Sequence, residues 1–163
     1  MSFEETLASL SDNDLSDSDL AELSGLDTEQ LALFEQTWAK IETEQRRRIV
    51  GQLVRLADEN IELNFNAILK NCLTDPDAEV RSQAIEGLWE CEEPSLVPLL
   101  ISLLENDSSE MVQTKAAAAL GRFAMLAEHG KLNENATTGL GPALLSTINN
   151  KNKPVDILSL IHI

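Results

Sequence analysis

Apolar residues recur at helical spacing through the middle of the chain, on both sides of the helix-breaking dipeptide Asp75-Pro76. The proline has no N–H to donate and disfavours a helical conformation in the residue before it, so a helix must end there. Asp77 then suits the N-cap of a new helix. The apolar stripe before the break is Phe65, Ile68, Leu69, Cys72 and Leu73, and the one after it is Val80, Ala84, Ile85 and Leu88. This pattern predicts two amphipathic helices joined by a short turn, an αα-hairpin.

The same arrangement of residues recurs after a shift of 32 positions, and eight positions keep their chemical character. Ile68, Leu69, Cys72, Asp75, Val80, Ala84, Ile85 and Leu88 correspond to Leu100, Ile101, Leu104, Asp107, Val112, Ala116, Ala117 and Leu120. A lone hairpin cannot bury its apolar face. A repeat of this length therefore predicts an all-α protein of stacked helix hairpins.

The two copies, LTDPDAEVRSQAIEGL and LLENDSSEMVQTKAAAALG, resemble HEAT repeats of the short, bacterial, armadillo-type class. The resemblance covers residues 61–126. It implies a right-handed α-solenoid of stacked antiparallel hairpins. It implies little about chemistry, because such a repeat specifies stacking rather than a reaction.

The solenoid is expected to span residues 27–157, in four repeats. These are 27–60, 61–92, 93–130 and an incomplete repeat at 136–157. The first is degenerate, since it has two apolar helix faces but lacks the proline and the Val-Arg pair of the second. The polar residues 131–138 predict a loop insertion.

Residues 1–26 form an acidic leader, which we expect to be partly disordered. Little fixed structure is expected over residues 1–14, where Ser, Asp and Asn are frequent. A helical turn or two ending at Gly25 is predicted from the caps and leucines that follow. The leader is interpreted as a cap over the first hairpin, and the alternative is a detachable acidic interaction segment.

The last six residues, LSLIHI, resemble the translation of a transposase adapter used in sequencing libraries. We therefore expect residues 158–163 to be non-native and the natural protein to continue with more repeats. The final apolar face would then be left open. Such an edge favours self-association of the chain.

The net charge is −16, and nine of the acids lie in residues 1–30, where there is no base. This excess disfavours nucleic acid as a partner. No apolar run reaches the length of a membrane span, and the N-terminus lacks a signal-peptide pattern, so a cytoplasmic protein is expected. Arg46, Arg47 and Arg48 form a basic run. They either bind a carboxylate or phosphate partner or, as the composition favours, pair with the leader and nearby glutamates.

No constellation of catalytic or metal-binding residues is found in the sequence. The two histidines, His129 and His162, are not clustered with cysteines or acids in a ligand pattern. Cys72 and Cys91 lie on apolar faces and lack a nearby histidine base, so they are interpreted as reduced core residues. We expect no enzymatic activity and no cofactor.

The remaining candidate for function is a surface centred on Trp89, which takes the place that Gly121 holds one repeat later. Trp89 either closes the junction with the preceding hairpin or anchors a partner, as aromatic residues do at interface hot spots. The other residues predicted for this surface are Glu86, Glu90, Lys115 and Arg122. The resemblance implies that partners bind along the second helices of such repeats.

These observations favour a non-catalytic scaffold that binds one or more protein partners. The alternative is a bilin lyase of the phycobilisome pathway, or a subunit of one, because such enzymes resemble this chain in their short HEAT-like repeats. No bilin-handling residue can be assigned in the chain.

Overall fold

The computed structural model describes residues 2–128, and the side chains as far as Leu126. This part of the chain contains eight α-helices. The helices are α1 (Phe3–Ser9), α2 (Asp17–Ala21), α3 (Thr28–Trp38), α4 (Thr43–Glu59), α5 (Asn66–Cys72), α6 (Ala78–Gly87), α7 (Leu96–Asn106) and α8 (Glu110–Glu128). No strand occurs in this part of the chain. The predicted all-α architecture is therefore confirmed.

The chain divides into two compact units between Leu88 and Trp89. The first unit contains α1 to α6, and the second contains α7 and α8. In the first unit, α5 packs against α6 as the predicted hairpin, α4 packs against α6, and α3 packs against α5. First helices thus contact first helices, and second helices contact second helices, which is how HEAT-type hairpins stack in an α-solenoid.

The core of the first unit is made of aliphatic and aromatic side chains with almost no exposed surface. Its large members include Phe34, Ile49, Leu53, Phe65, Ile68 and Leu69. Close approach of the helices depends on Gly87, where an added Cβ would lie 2.8 Å from the side chains of both Val54 and Leu69. A side chain at this position would have to displace its neighbours, so glycine here permits the tight packing of α6 on α4 and α5.

The turn between α5 and α6 is held by its two aspartates. Asp77 is the N-cap of α6 and accepts a 3.1 Å hydrogen bond from the backbone N–H of Val80, as predicted. Asp75 Oδ1 accepts a 2.9 Å bond from the backbone N–H of Asp77. Arg81 Nη1 donates a 2.8 Å bond to the backbone carbonyl of Asp75. These bonds satisfy backbone groups that the helix ends leave unpaired.

The second unit repeats this turn in the positions that the 32-residue shift predicts. Asp107 Oδ1 accepts a 2.8 Å bond from the backbone N–H of Ser109, and Ser109 Oγ accepts from Val112 at 3.4 Å. Gln113, which corresponds to Arg81, donates to the backbone carbonyl of Leu104 at 3.2 Å. Helices α7 and α8 pack together as a hairpin. The residues of α8 that are buried there include Val112, Ala116, Ala117, Leu120 and Phe123.

The acidic leader contains two short helices, α1 and α2, each with a capping box, formed by Ser2 with Glu5 and by Ser16 with Asp19. The expectation of little fixed structure over residues 1–14 differs from this result, because the composition argument overlooked the local Ser-x-x-Glu signature at the start of α1. Leu10, within residues 1–14, has no exposed surface, which was not anticipated. Leu20 and Leu23, which belong to the leucines that predicted the short helix, are fully buried as well.

Helix α4 is the element to which the leader is attached. Gln45 Nε2 donates to the backbone carbonyls of Leu10 and Asp12, at 2.9 Å and 2.8 Å. Arg55 Nη2 lies 2.7 Å from Asp17 Oδ1, and this bond raises the pKa of Arg55. Helix α2 packs on α4 as well. The leader is therefore held against α4 by hydrogen bonds, an ion pair and packing.

The basic run of Arg46, Arg47 and Arg48 contacts both nearby groups and the aspartates of the next turn. Arg47 contacts the nearby Glu44 at 3.4 Å, and Arg48 donates to the leader at the backbone carbonyl of Asp12, as the favoured interpretation expected. The stronger contacts lie elsewhere. Arg46 Nε is 3.2 Å from Asp75 Oδ2, and Arg47 forms two bonds with Asp77, at 2.7 Å and 2.9 Å. The run thus attaches α4 to the turn of the next hairpin.

Several predictions fall outside the described residues. These concern the loop insertion at 131–138, the incomplete repeat at 136–157, the tail at 158–163 and the two histidines, His129 and His162. They stay predictions.

Candidate functional site

Trp89 follows the end of α6, whose last helical residue is Gly87 and whose C-cap is Leu88. It is 46% exposed, whereas the other tryptophan, Trp38, is 4% exposed. An indole left this open to water is unusual in a core position, since tryptophan buries a large apolar area when it packs inside. Trp89 is therefore the feature of the predicted surface that most needs a functional explanation.

Arg122 in α8 reaches the ring of Trp89. Its guanidinium carbon lies over the ring, 5.9 Å from the centroid, which is within the range of a cation–π interaction. Arg122 Nη2 is also 3.7 Å from Glu92 Oε1. The guanidinium is thus placed between an aromatic face and a carboxylate, and its side chain keeps 22% of its surface exposed.

The structure brings together two of the five residues predicted for this surface, Trp89 and Arg122, through their direct contact. Glu90 is exposed and adjoins Trp89 in the chain, and Lys115 is partly exposed on α8. Lys115 precedes Arg122 by seven residues, or about 10 Å along a helix, and lies on the same face. Glu86 is exposed at the end of α6 and belongs to the first unit, whereas the other four belong to the second.

Glu92 was not among the predicted residues, although it contacts Arg122. The signal for it was present in the sequence, because Glu90, Glu92 and Glu93 follow Trp89 within four positions. All three are exposed. The pairing of Glu92 with Arg122, thirty residues later in the chain, could not be seen in the sequence, because it depends on how the fold places α8 beside this loop.

A second candidate is a cleft of about 240 Å³ in the first unit, near the turn that contains Asp75. The buried carboxylate of Asp75 lines it, and Asp75 Oδ2 accepts a 2.9 Å bond from Trp38 Nε1. Arg46 also lines the cleft. Its Nε lies 3.2 Å from Asp75 Oδ2, which is within ion-pair distance, but its N–H does not point at that oxygen and forms no hydrogen bond. Because both oxygens of Asp75 already accept hydrogen bonds, from Trp38 and from the backbone N–H of Asp77, we interpret the cluster as structural rather than as a ligand site.

The ionisable groups in the described residues show no sign of a reaction centre. Within residues 2–128, no group of three or more His, Cys, Asp or Glu is placed to hold a metal ion. Cys72 is buried, and burial, followed by the nearby charge of Asp75, raises the pKa of its thiol. A thiol held protonated in this way is a poor nucleophile. The shifted pKa of Asp77, about 2, is caused chiefly by its bonds to Arg47, whose own pKa is raised by them.

The paired helices and the repeated turn define the chain as an α-helical repeat protein. A family model for HEAT repeats matches residues 65–154, more than half of the chain. The chain therefore belongs to the HEAT-repeat family, which confirms the predicted resemblance. No curated protein and no solved structure matches the chain significantly. Among the helices in the described part of the chain, none is both long and apolar enough to cross a membrane.

Proposed function

We propose that this HEAT-repeat chain is a non-catalytic scaffold that binds a protein partner through the surface around Trp89 and Arg122. The observation that carries the proposal is the exposure of Trp89, at 46% of its surface, together with its contact to Arg122. Tryptophan and arginine are the residue types most enriched among the side chains that dominate binding energy at protein interfaces.

Two further observations support this site. The guanidinium lies over the ring, at 5.9 Å, and this contact restricts both side chains before a partner binds, which lowers the entropy lost on binding. Glu90 and Lys115 extend the surface with charges of both signs, which suits a polar rim around an aromatic centre.

The test is site-specific photo-cross-linking in cells that express the chain natively. A photoreactive phenylalanine analogue at position 90 should capture a defined protein partner. The substitution Trp89→Ser should abolish capture, while Leu33→Ser should leave it unchanged. Leu33 is a suitable control because its exposure, 47%, matches that of Trp89. Capture that persists in Trp89→Ser contradicts the proposed site.

The scaffold and the alternative function, a bilin lyase, predict different molecules in the captured complex. The captured complex is expected to contain protein only. Two results would favour the lyase over the scaffold. One is a linear tetrapyrrole bound to the chain, and the other is a phycobiliprotein subunit that gains its chromophore in the presence of the chain.

A further inference from the structure

The ring of Trp89 contacts one cation, and the residue is still partly exposed to solvent. Arg122 lies over it with the guanidinium carbon 5.9 Å from the centroid, near the outer limit of a cation–π contact. Despite this contact, 46% of the residue is exposed to solvent. An aromatic ring that stays partly open to solvent can attract a further cation.

The loop that carries the ring is acidic. Residues 89–93 read Trp-Glu-Cys-Glu-Glu, and Glu90, Glu92 and Glu93 are all exposed. One of these carboxylates, that of Glu92, is offset by the charge of Arg122, whose Nη2 lies 3.7 Å from Glu92 Oε1. Covering this loop with an apolar partner would take exposed carboxylates out of water, which is costly. A cationic partner avoids that cost.

We propose that the exposed surface of Trp89 receives an arginine side chain from a basic segment of the partner, with Glu90 and Glu92 as the carboxylates that face it. The inference rests on the proposed function and names the chemical class of the partner. Arginine fits better than lysine because its planar guanidinium stacks on an aromatic ring and at the same time bonds to carboxylates. Arg122 and Glu92 already show this arrangement within the chain.

The charge of the whole chain agrees with such a partner. The net charge of −16 attracts a basic segment at long range and repels an acidic one. This long-range attraction raises the rate of encounter, whereas the stacked arginine provides the short-range specificity. The two contributions respond differently to substitution, so they can be separated experimentally.

The experiment uses the full chain and a fluorescein-labelled synthetic peptide of sequence GKGRGKG. Fluorescence anisotropy gives the affinity of this peptide and of a second peptide in which citrulline replaces arginine. Citrulline has the same shape without the charge, and the two lysines maintain the long-range attraction in both peptides. The arginine peptide should bind about fivefold more tightly than the citrulline peptide.

Nuclear magnetic resonance locates the contact on the chain. The indole N–H signal of Trp89 should shift in a saturable way when the arginine peptide is added. The signal of Trp38, which is 4% exposed and donates to Asp75, serves as an internal control and should not move. The two signals are assigned with Trp89→Phe, and circular dichroism verifies that each variant is folded.

Substitutions then test the role of the ring. Trp89→Leu should remove the preference for arginine over citrulline, and Trp89→Phe should retain part of it, because phenylalanine binds cations less strongly. Leu33→Ala should change neither affinity. Equal binding of the two peptides by the unsubstituted chain, or a preference that survives in Trp89→Leu, would overturn the inference.

The outcome also separates this inference from the proposed function. If cross-linking at position 90 captures a partner that depends on Trp89 while the arginine peptide shows no preference, the site stands and the partner's stated chemistry is wrong. If the peptide binds as expected but cross-linking in Trp89→Ser still captures the partner, the ring binds cations and the proposed docking site is wrong.

Discussion

Replacing Asp77 by asparagine should destabilise the chain in a pH-dependent way. Asparagine is as good an N-cap as aspartate, so the cap bond to Val80 is kept, whereas the charge and one of the two oxygens that accept from Arg47 are lost. Asp77 forms two bonds with Arg47, at 2.7 Å and 2.9 Å, and its side chain is only 14% exposed. The substitution therefore isolates the ion pair that joins the turn to α4.

The magnitude follows from the pKa of Asp77, which lies at about 2 in the folded chain against an ordinary value of 3.8. Each unit of pKa difference corresponds to about 1.4 kcal/mol, so the ion pair contributes at most about 2.5 kcal/mol. Because 35% of the Arg47 side chain is exposed, solvent screens part of this interaction. We expect Asp77→Asn to lower the free energy of unfolding by about 1–2 kcal/mol at neutral pH.

The sign of the pH dependence follows from the lowered pKa. A carboxylate with a lowered pKa in the folded state stabilises it fully above the pKa of the unfolded chain, and this contribution disappears as pH falls from about 4 to about 2. The difference between the original chain and Asp77→Asn should shrink over the same interval. Urea unfolding, followed by circular dichroism at a series of pH values, measures it.

The matched control is Glu79→Gln. Glu79 is 3.2 Å from the same guanidinium, but its side chain is 51% exposed. Its removal should cost less than about 0.5 kcal/mol at any pH, as for most surface ion pairs. A difference between the original chain and Asp77→Asn that is the same at low and neutral pH would refute the assignment of the ion pair.

Two further substitutions test the buried contacts of the first unit. Trp38→Phe removes the 2.9 Å hydrogen bond to the buried carboxylate of Asp75 and should cost about 1–3 kcal/mol in urea unfolding, whereas Trp89→Phe should cost less than about 0.5 kcal/mol. Leu20→Ala creates a cavity beneath α2, where Leu20 has no exposed surface, and should cost about 2–5 kcal/mol. Leu33→Ala is its control and should be nearly neutral; equal effects of the two leucine substitutions would mean that the leader is not packed on the fold.

The sequence was most informative where local rules decide the structure. Asp75-Pro76 ends one helix, and Asp77 caps the next, for reasons that lie within a few residues of each other. The apolar stripes identified the buried faces for the same reason, since helical periodicity is a local property. The leader shows the opposite error, because a composition argument averaged over residues 1–14 and so missed a capping box.

The contacts that the sequence did not reveal join residues far apart in the chain. Arg46 meets Asp75 across 29 positions, and the same carboxylate receives Trp38 across 37. No local pattern distinguishes an arginine that will be buried against aspartate from one that stays in water. The basic run was therefore assigned to nearby acids, and its attachment to the next hairpin appeared only in the structure.

The two copies of the repeat within one chain help to separate folding from function. Asp75 and Asp107 make the same bond to the backbone two residues on, at 2.9 Å and 2.8 Å. The positions that follow the last core leucine differ, since one copy has Trp89 and the other has Gly121. Because the hairpin of α7 and α8 forms with glycine at that position, the repeat does not require a tryptophan there. The exposed ring is better explained by a partner than by the fold, as expected for the proposed site at Trp89.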